Sequence, residues 1–139
     1  MAISLAVTTQ EDLLRIKTWA SVDLWHKNQN YPEWWKTGEG YLSFCVRDEE
    51  GPIFYSRIDQ EQEWFRLHCQ FGPRPEVSRE RVVAGVTACL QVLPSYLALS
   101  GRGMRFDSEN SSLIKFLEAR DFKKSEIGDY VIEFGLKEN

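Results

Sequence analysis

Apolar residues recur along the first quarter of the chain in two patterns that predict a strand followed by a helix. Residues 3–7 form a short β-prone run. Thr8 or Thr9, followed at once by acidic residues, is typical of a helix N-terminus. Across residues 13–25 apolar side chains return every three or four positions, which predicts an amphipathic helix. Two asparagines and a proline within residues 28–32 are expected to end it.

Three runs rich in β-branched and aromatic residues follow, and they predict strands. Residues 41–47 and 53–58 flank an acidic Gly-Pro connection, which favours a hairpin. Residues 63–71 place an apolar set on one face, and the other face carries a mostly polar set. The apolar set is Phe65, Leu67, Cys69 and Phe71, and the other is Trp64, Arg66, His68 and Gln70. Because strands adjacent in sequence tend to be neighbours in a sheet, we expect an antiparallel meander of three strands.

The second half of the chain predicts two further helices and two strands. Gly and Pro residues at 72–75 interrupt the sheet, and Ser78 begins a helix that Pro94 should end or kink. The element order is then β-α-β-β-β-α-β-α-β, which predicts an α/β (α+β) fold with a mixed, mostly antiparallel sheet and helices on both faces. The remaining predicted elements are a strand over 103–108, a helix over 112–122 and a strand over 129–136.

Length and charge narrow the class of protein. A chain of 139 residues is the size of one domain, so residues 1–139 are expected to form a single unit. With 21 acidic and 17 basic residues the net charge is −4, which disfavours nonspecific binding to nucleic acid or to an anionic membrane. The start of the chain has no basic segment before its apolar run, and no run of about 18 apolar residues follows. We therefore expect a cytoplasmic protein.

The cysteines and histidines do not form a metal-binding or disulfide pattern. Cys45, Cys69 and Cys89 are odd in number and widely spaced, and neither His26 nor His68 lies near a cysteine pair. Buried free thiols and no metal site are the expectation. The sequence also lacks a nucleophile elbow, an HExxH motif and a Walker motif, so it offers no support for a hydrolase, metalloprotease or nucleotidase.

The helix that begins after Ser78 is a candidate anion-binding site. Its first amides have no partner within the helix and carry a partial positive charge. Arg74, Arg79 and Arg81 add formal charge at the same place. The alternative interpretation is an ordinary capped helix with solvated arginines.

Glu63, His68 and Tyr130 are candidates for proton transfer. His68 could act as an acid or base if its face of the strand lines a cleft, Glu63 could act as a base through water, and Tyr130 could protonate a leaving group. Packing or surface roles would explain each residue as well. Tyr31, Trp34 and Trp35 form an aromatic cluster that either lines a substrate or partner groove or closes the edge of the core.

The order of the elements, together with DSENSSLIKFLEARDFKKSEIGDYVIEF at 107–134, resembles the GCN5-related N-acetyltransferase (GNAT) superfamily. In that family an Asn or Ser after the fifth strand begins a helix reading "lyeklGF", and the opening SLAVTTQEDLLRI is similar to its usual start. The resemblance spans nearly the whole chain, although each segment alone is unspecific. It implies an acyl-CoA N-acyltransferase-like fold that binds acetyl-CoA between two splayed strands and acylates a small-molecule or peptide amine.

The resemblance also implies roles for individual residues. Backbone amides around the start of the helix would bind the pyrophosphate, and the strand before it would line the pantetheine arm. We expect Glu63 or His68 to be the base. Tyr130 is the nearest substitute acid by sequence, although it does not occupy the motif position of the family's acid. The cofactor-binding residues implied are Val77, Ser78, Arg79 and Arg81 for the pyrophosphate and Leu67, Cys69 and Asn110 for the arm.

Several positions depart from the family pattern. The family's phosphate loop reads Q/R-x-x-G-x-G/A, and here Ser78, Arg81 and Val83 occupy its three defined positions. Side chains at the glycine positions should crowd the pyrophosphate, although Arg81 could instead reach the phosphates with its own charge. Leu117 stands where the family often has its general-acid Tyr. The alternative function is therefore a ligand-binding or protein-interaction module that no longer uses CoA, and whether the chain forms a homodimer stays open.

Overall fold

The computed structural model describes residues 2–22, 41–97, 103–108 and 111–133. These residues form seven strands in one sheet, in the order β1-β2-β3-β4-β5-β7-β6. Every neighbouring pair is antiparallel except β4 and β5, so the predicted mixed, mostly antiparallel sheet is confirmed. The strands are β1 (Ser4–Val7), β2 (Tyr41–Asp48), β3 (Gly51–Glu61), β4 (Trp64–Phe71), β5 (Gly103–Phe106), β6 (Lys123–Lys124) and β7 (Tyr130–Glu133).

Three helices accompany the sheet: α1 (Gln10–Ser21), α2 (Arg79–Leu97) and α3 (Ser111–Glu118). Thr9, rather than Thr8, is the N-cap of α1. Its hydroxyl accepts from the Asp12 amide at 3.2 Å, and the Asp12 carboxylate accepts from the Thr9 amide at 2.9 Å. This reciprocal pair is a capping box, which satisfies two backbone donors at the helix start. The predicted continuation of α1 to residue 25 lies outside the described residues.

Two predicted helix ends and one short strand differ between sequence and structure. Helix α2 continues past Pro94 to Leu97, because the fixed φ of proline suits a helix and costs it only one hydrogen bond near its end. Helix α3 ends at Glu118, where the chain turns through Asp121 with φ of 71°. The two-residue strand β6 was not predicted, since its two lysines show no apolar alternation.

The strand register places helices on both faces of the sheet, as predicted. On one face, the α1 face, the Trp19 ring lies 5.3 Å from the Tyr55 ring. The fully buried Tyr55 donates to Asp12 at 2.6 Å and accepts from Arg15 at 3.2 Å. Burial alone would raise the pKa of Asp12, but the hydrogen bonds from Tyr55 and Thr9 outweigh it and lower that pKa. Helix α1 is therefore fixed to the sheet by both apolar and charged contacts.

Helices α2 and α3 cover the opposite face, the α2/α3 face. Buried residues from both helices meet the sheet there, among them Val86, Cys89 and Leu117. The chain enters α2 through a loop that closes tightly over the sheet. The Gly72 amide donates to the Ile53 carbonyl at 3.1 Å, and a Cβ at Gly72 would overlap the Val77 side chain. Glycine is required at this position for steric reasons, and it brings the start of α2 against the end of β4.

Candidate functional site

The sheet forks between its two parallel strands. Pairing of β4 with β5 begins at Trp64 and Gly103 and ends at Leu67 and Phe106. Strand β4 continues to Phe71, still paired with β3 on its other side. Beyond Leu67, no strand in the described part of the chain pairs with the β5 side of β4. We refer to this side of β4 beyond Leu67 as its open edge, meaning that no described strand covers it.

A cavity of about 240 Å³ lies at this open end. It is enclosed by the end of β4, the start of α2 and the first turns of α3. Aliphatic and aromatic side chains form most of its wall, and the two charged side chains among its described lining residues are arginines, Arg74 and Arg79. Both are exposed, and neither has an ion-pair partner among the described residues. The other lining residues are Phe71, Gly72, Val77, Val82, Val83, Val86, Ser112, Leu113 and Phe116.

A second, smaller space of about 20 Å³ adjoins the cavity toward the fork. The two spaces share Phe71, Val86 and Leu113. The smaller one is also lined by Leu67, Cys69 and Phe106, which lie at the fork itself, and by neighbouring side chains of the core. Burial raises the pKa of the Cys69 thiol, so it stays protonated at neutral pH. An apolar path thus leads from the arginines toward the fork.

Ser78 is the N-cap of α2. Its hydroxyl accepts from the Arg81 amide at 3.3 Å, and its carbonyl accepts from the Val82 amide at 3.1 Å. The amides of Arg79 and Glu80, the first two residues of the helix, have no acceptor within the described ranges. Two backbone donors therefore remain at the predicted anion-binding position.

The Arg81 side chain lies elsewhere. Its guanidinium donates twice to Asp48, at 2.7 and 2.9 Å, and once to the Gly51 carbonyl at 3.1 Å. The Asp48 carboxylate is fully buried, and these hydrogen bonds lower its pKa. Arg81 thus fixes the first turn of α2 to the β2–β3 turn. Its charge is not directed into the cavity, so the structure does not support the alternative in which this side chain reaches a phosphate.

His68 is the first residue of β4 beyond the fork, and its side chain lies on the α1 face. Nε2 is 3.0 Å from Oδ2 of Asp59, whose other oxygen accepts from Arg57 at 2.7 Å. About a third of the side chain is exposed. Burial lowers the pKa of His68 below its usual 6.5 despite the neighbouring Asp59. The neutral ring, which can accept a proton, is therefore favoured at pH 7.

The other two proton-transfer candidates lie at different levels of the sheet. Tyr130 pairs with Phe106, the last β5 residue before the fork, and is 8% exposed on the α2/α3 face. His68 and Tyr130 thus approach the fork from opposite faces. Glu63 is exposed and precedes the opposite end of β4. His68 follows it by five positions, about 16 Å along the strand at the usual rise, so the structure does not bring Glu63 to the fork.

Asp59 and Asp48, the carboxylates that bind His68 and Arg81, were not predicted as site residues from the sequence. Both lie at strand positions whose partners depend on register, and register is fixed only once the hairpin turns are known. Tyr31, Trp34, Trp35 and Asn110 lie outside the described residues.

No three His, Cys, Asp or Glu side chains in the described ranges are grouped closely enough to bind a metal ion. None of the helices described is both long and apolar enough to cross a membrane.

Comparisons with known proteins identify the fold. No protein-family model matches the sequence, and no curated protein matches it. Solved structures do match. The ribosomal-protein-S18-alanine N-acetyltransferase from Escherichia coli aligns at a TM-score of 0.69 and 14% identity, over 99% of this chain and 97% of that one.

Two other solved structures agree with it. An N-acetyltransferase from Staphylococcus aureus Mu50 aligns at a TM-score of 0.72 and 14% identity, over 97% of this chain and all of that one. The aminoglycoside acetyltransferase AAC(6')-Ib in complex with coenzyme A aligns at a TM-score of 0.71 and 12% identity, over 95% of each chain. Acetyltransferases of the GNAT family from Streptococcus pneumoniae and Desulfovibrio desulfuricans are also similar. The expected acyl-CoA N-acyltransferase-like fold is confirmed.

Proposed function

The chain has the GNAT fold, and we propose that it is an N-acyltransferase. It would move an acyl group from acyl-CoA to the amine of a small molecule or peptide. The observation that carries this proposal is the cavity at the fork, whose charged lining consists of Arg74 and Arg79. A ligand that matches this lining has both an anionic part and an apolar part. An acyl-CoA has both, since its phosphates are anionic and its pantetheine arm is largely uncharged.

The described residues fit such a donor. The phosphates would lie at the start of α2, near the guanidinium groups of Arg74 and Arg79 and the two amides without acceptors. The arm would run along the apolar wall to the open edge of β4 at Leu67 to Cys69. Val77, buried against Gly72, supports the loop that positions the arginines. The thioester supplies an acyl carbon that an amine can attack.

The residues at the fork would move the two protons of the reaction. The amine nitrogen forms a bond to the acyl carbon while the carbon–sulfur bond breaks. His68, held by Asp59, accepts the proton released by the nitrogen, and Tyr130 on the other face gives a proton to the departing thiolate. Proton transfer of this kind typically contributes about 10²- to 10⁴-fold to a rate. The net charge of −4 suits a cationic acceptor.

The similar structures give two classes of acceptor to test. The Escherichia coli protein is a ribosomal-protein-S18-alanine N-acetyltransferase. AAC(6')-Ib has been crystallised with coenzyme A together with kanamycin or ribostamycin. Their identities of 11 to 14% do not select between a peptide amine and a small polyamine. Both belong in the first substrate panel.

A second candidate function is a binding module without transferase activity. It is favoured by Leu117, which occupies the position of the family's acid and is only 2% exposed within the core. Val83 also favours a binding module, because its side chain lines the cavity at a position where the family has glycine. Such a module would use the cavity for another ligand or for a protein segment.

Titration calorimetry with acetyl-CoA separates the two functions. We expect saturable binding that weakens about tenfold to a hundredfold in Arg79→Ala, the usual loss for a hydrogen bond to a charged group. Arg47→Ala is the matched control, since Arg47 is exposed on β2 and does not line the cavity. Amine-dependent release of the CoA thiol would then support the transferase. A folded protein that does not bind acetyl-CoA at millimolar concentration would contradict it.

A further inference from the structure

The loop between β4 and α2 carries Arg74, one of the arginines that line the cavity. Both ends of this loop are fixed, because the Gly72 amide donates to the Ile53 carbonyl and Val77 is only 1% exposed. Between them lie residues 74–76, which we call the tip of the loop. All three residues of the tip are exposed. Burial therefore does not fix the conformation of the tip, although the position of Arg74 depends on it.

A single hydrogen bond joins the tip to helix α1. Nε1 of Trp19 donates to Oε2 of Glu76 at 2.6 Å, and the two residues are 57 positions apart in sequence. Within the described residues, no other side-chain hydrogen bond or ion pair connects the tip to another element. Helix α1 packs on the face of the sheet opposite to α2, so this bond links elements from the two faces.

Trp19 is a fixed donor. Its side chain is 2% exposed, and its ring lies 5.3 Å from the ring of Tyr55, which donates in turn to Asp12 at 2.6 Å. An indole has one N–H donor and accepts no hydrogen bond, so Glu76 satisfies the only polar atom of this buried side chain. The carboxylate makes the bond charge-assisted and therefore strong. The core thus determines where the carboxylate of Glu76 lies.

This bond turns Glu76 away from its basic neighbours. Glu76 follows Arg74 by two positions and precedes Arg79 by three. It nevertheless does not line the cavity, and in the described part of the chain it forms no ion pair with either arginine. The carboxylate is bound at α1 while the arginine two positions earlier lines the cavity. The hydrogen bond therefore accompanies the tip conformation that presents Arg74 to a ligand.

We propose that Glu76 is a positioning residue of the donor site, which through its hydrogen bond to Trp19 holds the tip so that Arg74 lines the cavity before a ligand binds. This inference rests on the proposed function, and it gives helix α1 a part in binding the acyl donor. A loop that is already held in its binding conformation loses less conformational freedom when the ligand binds, which improves affinity. The effect is therefore expected on the affinity of the folded protein for acetyl-CoA.

Titration calorimetry with acetyl-CoA on variants of the whole chain tests the proposal. The variants are Glu76→Gln and Glu76→Ala, each alone and each combined with Trp19→Phe. Both substitutions at Glu76 remove its charge, but only glutamine keeps an oxygen that can accept from Trp19. We expect Glu76→Ala to bind acetyl-CoA about fivefold more weakly than Glu76→Gln. In the Trp19→Phe background, which lacks the indole donor, the two should bind equally.

Glu49 provides the matched control. It is an exposed glutamate that accepts from the Ala2 amide at 3.2 Å and does not line the cavity. Glu49→Gln and Glu49→Ala should bind acetyl-CoA equally, because neither changes the loop between β4 and α2. Urea denaturation of every variant measures stability separately from affinity.

Two results would overturn the inference and leave the proposed function intact. The first is equal affinity of Glu76→Gln and Glu76→Ala in the presence of Trp19, even if the two differ in stability, and this comparison does not depend on the folding of Trp19→Phe. The second is a difference that persists in Trp19→Phe, because the bond to Trp19 would then not be its cause. If the wild type does not bind acetyl-CoA, the inference and the proposed function both fail.

Discussion

The two halves of β4 differ in how they are held, although they belong to one continuous strand. From Trp64 to Leu67 the strand is paired on both sides, with β3 and with β5. From His68 to Phe71 it is paired only with β3, within the described part of the chain. We refer to these as the closed half and the open half. The cavity lies beside the open half alone.

Charged side chains follow the same division. Beside the closed half, Asp129 accepts from Arg66 at 3.3 Å, from Arg105 at 3.2 Å and from Ser125, and its side chain is 5% exposed. These bonds join β4, β5 and the segment before β7. Beside the open half, Arg74 and Arg79 are exposed, and His68 is 32% exposed and favoured in its neutral form. The comparison indicates that the closed half stabilises the fold, while the open half provides the groups available to a ligand.

The largest expected effect is the loss of Asp129. In Asp129→Asn the two guanidinium groups lose their shared charge partner, so we expect the free energy of unfolding to fall by about 3 kcal/mol. This is the lower end of the usual range for a broken buried pair, because both arginine side chains are 22% exposed. Urea denaturation at pH 7 measures it.

Glu61→Gln is the control for Asp129→Asn. Glu61 also binds Arg66, at 2.8 Å, but its side chain is 48% exposed. An exposed ion pair contributes at most about 1 kcal/mol, so this variant should stay close to the wild type. Equal losses in the two variants would show that the closed half is not held by its buried carboxylate.

The second effect concerns catalysis at the open half. If His68 is the base, His68→Gln should lower kcat about a hundredfold with little change in the affinity for CoA. Because burial lowers the pKa of His68, activity in the wild type should fall only as pH drops below 6.5. That acid limb should be absent in His68→Gln.

Asp59→Asn gives the matching test of the base. The Asp59 carboxylate raises the pKa of His68, against the larger effect of burial, so its removal should shift the acid limb to lower pH. A limb that stays in place in both variants would assign proton transfer to another group.

The sequence predicted the elements that rest on local patterns. The meander of β2 to β4 follows from three runs rich in β-branched and aromatic residues, and the start of α1 follows from its threonines and acidic residues. The two-residue β6 has no such pattern, and Pro94 does not end α2 because a proline in the last turn of a helix is tolerated. Local signals therefore established fold class and helix starts better than helix ends.

The site was less predictable because it depends on contacts distant in sequence. Arg81 stood out as a departure from a glycine, but its partner Asp48 lies 33 residues earlier, so its structural role could not be inferred. The fork depends on β5 ending at Phe106 while β4 continues to Phe71. No residue pattern within β4 marks that point. Arg79 was predicted from its position at the helix start, and the structure places it in the cavity wall.

The smallest expected effect is a difference in how acid destabilises the two halves. Burial would raise the pKa of Asp129, but Ser125, Arg105 and Arg66 together lower it. A lowered pKa stabilises the fold at pH values above the unfolded value, about 3.9, and this contribution is lost as pH falls further. His68 also has a lowered pKa, so the unfolded chain binds its proton more readily and stability falls as pH drops from about 6.5.

The two groups therefore act in separate pH windows, which urea denaturation between pH 7.5 and pH 2.5 should resolve. In His68→Gln the decrease beginning near pH 6.5 should be reduced, and in Asp129→Asn the decrease below about pH 4 should be reduced. Each change should be smaller than the loss on removing Asp129 at pH 7, because protonation leaves each side chain in place with the carboxyl oxygens or ring nitrogens that form its hydrogen bonds. If one variant alters both windows, the two halves of β4 are coupled, and the division between a stabilising half and a ligand-binding half does not hold.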